Sequence, residues 1–191
     1  MATQSDRRAA TRRAILDAAE KLFRKRGFEE TAVEQITTAA NVAKGTFYQH
    51  FESKTEILLA LIRRHEAATV EAVTRKLSEG CAPLQLLYGL ILAVGQSFEK
   101  DRKMAARAVA LAMAKPAVEN QPSLRTAFAL ILAEGQKRGE IRGDVDSYEL
   151  ALMLGGAMLP AIIGWAAQGK KGQLTPSIEK VWRVLLEGMR I

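Results

Sequence analysis

The sequence predicts an all-α chain of about nine helices, in which a three-helix N-terminal domain precedes a larger helical one. Three observations carry this reading. Apolar residues recur at helical spacing in nearly every segment, and no stretch alternates as a strand does. Gly, Pro and polar clusters cut the chain at intervals of helix length. The 191 residues are 48% apolar and 26% charged, an ordinary balance for a chain that buries a core.

The first helix presents Ile15, Ala18, Ala19, Leu22 and Phe23 on one face, and Gly27 is its C-cap. Thr31 and Glu34 have the spacing of a capping box, so a second helix is expected over 32–40. Asn41 then suits a left-handed turn residue. A third helix is expected over 44–50, with Phe47 and Phe51 inward. Ser53 and Glu56 form another capping-box pattern that opens a long helix over 54–79. Gly80 and Pro83 end that helix. Further helices are expected near 84–100, 102–114, 122–138, 146–168 and 176–190, with loops at 137–146 and 169–177. The domain boundary is expected between 53 and 54.

Residues 31–58 place two short helices around a tight turn, which is the helix-turn-helix arrangement. Val33 and Ile36 face inward, Ala40 permits close helix approach, and Val42 plugs the turn. Lys44, Thr46, Tyr48, Gln49 and His50 are left on the outer side or ends of the third helix. That set is basic, amide, hydroxyl and aromatic, with no acid before Glu52, as a surface facing phosphates requires. The net charge of +7 and a pI near 9.7 agree with an anionic partner.

Residues 14–61 combine Gly27-Phe28, the run Lys44-Gly45-Thr46-Phe47-Tyr48, the pair His50-Phe51, and Lys54 at the start of the fourth helix. With these features the segment resembles the N-terminal domain of the tetracycline-repressor (TetR/AcrR-like) regulators. The resemblance implies a ligand-responsive, sequence-specific transcriptional repressor that leaves its operator when a small apolar or amphipathic effector binds. By position, it implies that Lys44, Gly45 and Thr46 open the recognition helix in the major groove. Tyr48 and His50 would clamp phosphates, Gln49 would read an adenine or a phosphate, and Lys54 would meet a phosphate. Thr31 would cap the second helix and touch the DNA backbone. The chain departs from the family pattern at Ala32, Glu34, Asn41 and Ala43. Arg7, Arg8, Arg12 and Arg13 form a basic arm, read either as a DNA contact or as a solvated tail.

Beyond the first third, the resemblance lies in helix count, length and the loop 135–146. Phe98, Met113, Phe128, Met158 and Trp165 are the candidate lining of an effector pocket. Leu154 and Ile162, with Ile178, Val181, Trp182, Leu185 and Met189 on the last helix, are the candidate homodimer seam. Residues 150–167 carry no charge over 18 positions. Pro160 and the small residues favour a helix buried on both sides over a membrane span.

Cys81 is the sole cysteine and His50 and His65 the only histidines, so no triad, metal set or phosphate loop is legible. No enzyme activity and no cofactor are expected. The start of the chain has no apolar segment of a secretory signal, so a cytoplasmic protein is expected. The expected partners are double-stranded operator DNA, a small-molecule effector and a second copy of the chain.

Overall fold

A computed structural model of the chain describes residues 3–114, 121–168 and 172–189, except for the side chains at 104, 108 and 112–114. The described residues form helices and turns, with no strand among them. The helices are α1 (Gln4–Arg26), α2 (Val33–Ala40), α3 (Lys44–Tyr48), α4 (Lys54–Ser78), α5 (Pro83–Lys100), α6 (Arg102–Ala114), α7 (Leu124–Lys137), α8 (Ser147–Ala167) and α9 (Thr175–Met189). The expected helices are all present. Two compact units divide the chain, Met1–Arg64 and His65–Ile191, and α4 is common to both. The position 53/54 lies within the first of these units, where the first turns of α4 bury Ile57, Leu58 and Leu61. Arg64 also reaches back to Asp17 (2.6 Å) and Glu20 of α1.

In the first unit, α1 begins far earlier than the apolar stripe. Thr3 accepts the Asp6 amide (3.1 Å) and Asp6 accepts the Thr3 amide (2.8 Å), a reciprocal capping box. The basic arm of the sequence reading is therefore a regular part of α1. Gly27 closes the helix at φ +87°, donating its amide to the Phe23 carbonyl. Ile15, Leu16, Ala18, Ala19 and Phe23 face the core.

The second unit packs α5 to α9 and the end of α4 around Leu87, Ile91, Phe128, Ile131, Leu132, Leu154 and Ile178. Polar clasps hold its helix ends. Glu99 on α5 accepts the amides of Leu174 (2.5 Å) and Thr175 (2.8 Å) where α9 starts. Arg142 donates its amide to the Met189 carbonyl where α9 ends (2.9 Å). Asp146 caps α8 through the amides of Tyr148 and Glu149. Close approach of α5 and α9 depends on Gly95: a Cβ there would lie 3.1 Å from Ile178 Cδ1. By length and composition α8 could cross a membrane, yet Leu150, Leu154, Met158, Ile162 and Trp165 are buried in this core.

Two sequence expectations meet this core. Phe128, Met158 and Trp165 are buried in it, and Phe98 packs against it. The Met113 side chain lies outside the described residues. Trp165 donates its indole N–H to Gly172 (3.0 Å) beneath the Arg102 guanidinium, 4.0 Å from the ring centroid. The dimer candidates lie on the same core. Leu154, Ile162, Ile178, Trp182 and Met189 are buried against their own subunit, and Val181 and Leu185 pack on the same core. Among the described residues, the large hydrophobic side chains that α8 and α9 leave exposed are Tyr148, Leu152, Met153, Ile163 and Val184. The physical reason is that the dominant apolar stripe of a helix faces its own core first.

The Glu99 clasp gives a pH-dependent prediction. Its carboxyl lies below the ordinary value of 4.5, first because it accepts the Thr175 amide. A lowered carboxyl stabilises the fold above the unfolded value and loses that effect as pH falls through the folded value. Glu99→Ala leaves two amides without their acceptor and is expected to lose about 1–3 kcal/mol in urea unfolding at pH 7. The difference between wild type and variant is expected to shrink as pH falls below 4.5.

Candidate nucleic-acid interface

The site is built by α2, the turn after it, and α3. Ile36 is fully buried on the inner face of α2, and Val33 is half-buried. Asn41 takes the left-handed conformation (φ 53°, ψ 48°). Its amide and that of Val42 close on the carbonyls of Thr38 and Thr37. This turn and its residue are as the sequence predicts. Phe47 and Phe51 are buried, with ring centroids 6.2 Å apart. Burial of each contributes about 1.5–3 kcal/mol and fixes the rotation of α3.

That rotation sends the other face of α3 outward. Lys44, Gly45, Tyr48 and Gln49 are exposed, while Thr46 and His50 are half-buried. Gln49 and His50 stand in the turn that follows α3, which ends at Tyr48. Apart from its own turn of backbone and its two chain neighbours, nothing lies within 4 Å of where a Gly45 Cβ would stand. Tyr48 packs T-shaped against Phe47 and is 51% exposed. His50 lies below its ordinary pKa of 6.5, first through partial burial and then through the charges of Arg8 and Arg12. It is neutral at pH 7 and offers one N–H donor. Arg12 also lies 4.8 Å from the centroid of the Phe51 ring. The arm thus brings cations beside the end of α3.

Two expected site residues have other occupations. Thr31 is buried and donates its hydroxyl to the Gly27 carbonyl (2.7 Å). It neither caps α2 nor reaches the surface. The N-cap is Ala32, whose amide donates to the Gln35 side chain (3.1 Å). The capping frame is one residue later than the Thr31–Glu34 spacing suggests. The Lys54 ammonium donates to the carbonyls of Phe28 (2.6 Å), Thr31 (2.9 Å) and Glu29 (3.1 Å). It also lies 4.4 Å from the centroid of the Phe28 ring. Three carbonyls match the three donors of an ammonium, so in this geometry the Lys54 ammonium is satisfied by its own chain. Sequence spacing carries no signal for a tie across 26 positions. One further contact was not expected. Lys44 is paired with Glu34 across the two helices (2.6 Å), with both side chains mostly exposed.

Comparison with known proteins bears on this geometry. Residues 15–61 match the family model described as bacterial regulatory proteins, tetR family. The chain is 27% identical over 176 residues to the HTH-type transcriptional repressor BepR of Brucella suis, covering 86% of this chain and 84% of that one. It is 24% identical over 181 residues to the fatty acid metabolism regulator protein of Bacillus subtilis, covering 92% and 93%. Among solved structures, it is similar to Thermus thermophilus FadR, a TetR-family repressor in complex with lauroyl-CoA. There the TM-score is 0.72 and the identity 29%, over 94% of this chain and 95% of that one.

The Lys54 tie separates two roles by measurement. Lys54→Met strands its carbonyl partners and is expected to lower the stability of the N-terminal unit by about 2–3 kcal/mol. At a temperature where the variant is folded, the salt dependence of its DNA affinity should match wild type. A lost phosphate contact would instead reduce that slope by about one unit.

Proposed function

We propose that this chain, a member of the tetR family of bacterial regulators, is a cytoplasmic repressor that reads its operator with α3 and leaves it on binding an effector. One observation carries the reading. Buried Phe47 and Phe51 turn Lys44, Gly45, Tyr48 and Gln49 outward together on one helix-turn-helix surface. The N-terminal residues of such a helix reach base edges in the major groove. Lys44 and Thr46 are therefore assigned to base edges, with Gly45 allowing close approach. Tyr48 and His50 are assigned to phosphates, and Gln49 to an adenine or a phosphate.

The regulator binds as a homodimer. A palindromic site requires two reading heads at fixed spacing. The exposed Leu152, Met153, Ile163 and Val184 offer α8 and α9 a face for a second copy. The effector is a small apolar or amphipathic molecule. The likeness to a regulator of fatty acid metabolism and to a repressor holding lauroyl-CoA supports the amphipathic class. A coupling of about 1–3 kcal/mol between effector and DNA changes operator affinity by roughly 5–150-fold.

Selection of bound duplexes from a random library tests the proposal. The expected product is a pseudo-palindrome with half-sites about one helical turn, or a simple multiple, apart. Lauroyl-CoA is the first effector to titrate against it. Val184→Arg is expected to give monomers that hold the operator weakly. A monomeric wild type that binds one asymmetric half-site at full affinity would overturn the dimeric reading.

A further inference from the structure

The Glu34–Lys44 pair stands where the recognition helix would meet DNA. Lys44 opens α3, and Glu34 lies in the first turn of α2. The Nζ–Oε1 distance of 2.6 Å makes this a direct charge-assisted hydrogen bond. The pairing holds the Lys44 ammonium above its ordinary pKa and the Glu34 carboxyl below, so both are charged at pH 7. Exposed pairs add little to stability, so packing energetics give no reason for it. Its position gives one. Lys44 is the first residue of α3, on its exposed side, and Glu34 balances its charge there.

We propose that Glu34 is a specificity-determining residue, which keeps Lys44 charge-compensated so that it serves a neutral base-edge acceptor in preference to a phosphate. This deepens the operator-reading proposal and rests on it. An ammonium has three donors. With one given to Glu34, two remain for acceptors such as guanine O6 and N7, which carry no net charge. Such a contact needs no break in the pair. A phosphate brings a negative charge against the Glu34 carboxylate, so Lys44 must leave its partner or hold two anions together. Non-specific binding consists of phosphate contacts, and it bears this penalty where a base-edge contact does not. Glu34 thus discriminates by weakening the wrong complex.

The test measures affinity for the selected operator and for an unrelated duplex across a salt series. The proteins are full-length wild type, Glu34→Gln, Lys44→Gln and the double variant, with thermal melts to confirm folding. Glu34→Gln is expected to tighten the unrelated duplex about tenfold at 0.1 M salt and to steepen its salt slope by about one unit. Operator affinity should rise less, so the ratio of the two falls. With Gln at 44 the gain from Glu34→Gln should shrink by at least half. Unchanged affinity for the unrelated duplex in Glu34→Gln would overturn the inference, as would a gain undiminished by Lys44→Gln. Weaker operator binding in Glu34→Gln would also overturn it, because the carboxylate would then be reading a base itself. If wild type selects no operator, the operator reading fails and the inference falls with it. If wild type selects one and Glu34→Gln behaves like wild type, only the inference fails.

Discussion

The N-terminal unit depends on one ammonium. Lys54 gathers the carbonyls of Phe28, Glu29 and Thr31 and lies against the Phe28 ring. These carbonyls belong to the segment that follows Gly27, where the chain leaves α1 and turns towards α2. A loop of this kind has no ladder of its own, and its backbone polar groups take partners from elsewhere. Lys54 supplies them from the first residue of α4. The lysine therefore joins the end of one helix, the approach to the next and the beginning of a fourth. The buried Thr31 hydroxyl adds a second bond within the same segment. With that connection fixed, the buried Phe47 and Phe51 determine which face of α3 looks outward.

Much of this was legible in the sequence, because the informative signals are local. Gly27 ends α1, Asn41 takes the left-handed turn, and Phe47 and Phe51 are inward, each for a reason that a few neighbouring residues contain. The Ser53 cap also forms, with its hydroxyl accepting the Glu56 amide (3.2 Å). Other signals overlapped. Thr31–Glu34 and Ala32–Gln35 offer capping frames one residue apart, and the buried bond from Thr31 to Gly27 selects the second. The Thr3–Asp6 box was present in the sequence, but the polar run after it has no apolar stripe to mark a helix. Lys54 and Lys44 have the right composition for phosphate contacts, but only the fold brings the carbonyls and Glu34 to them.

The C-terminal unit shows a different limit. On α8, apolar residues occupy inner and outer faces alike, so periodicity cannot separate core from contact surface. The largest side chains of α8 and α9, Trp165 and Trp182, are committed inward. Smaller ones such as Leu152 and Val184 stay outside. Helix ends here are held by residues distant in sequence. Glu99 serves the start of α9, and Arg142 its end. Such clasps satisfy backbone groups that would otherwise be orphaned, and no local motif announces them.

The capping box at Thr3 changes what association with a polyanion entails. Because α1 is already helical from Gln4, Arg7, Arg8, Arg12 and Arg13 are spaced by helix geometry before any partner arrives. A flexible tail would give up conformational freedom on capture, at about 1–2 kcal/mol for each backbone residue fixed. Here that entropy has already been surrendered in folding. A partner that met this segment would dock on a helix already formed, with less folding coupled to binding than a flexible tail requires.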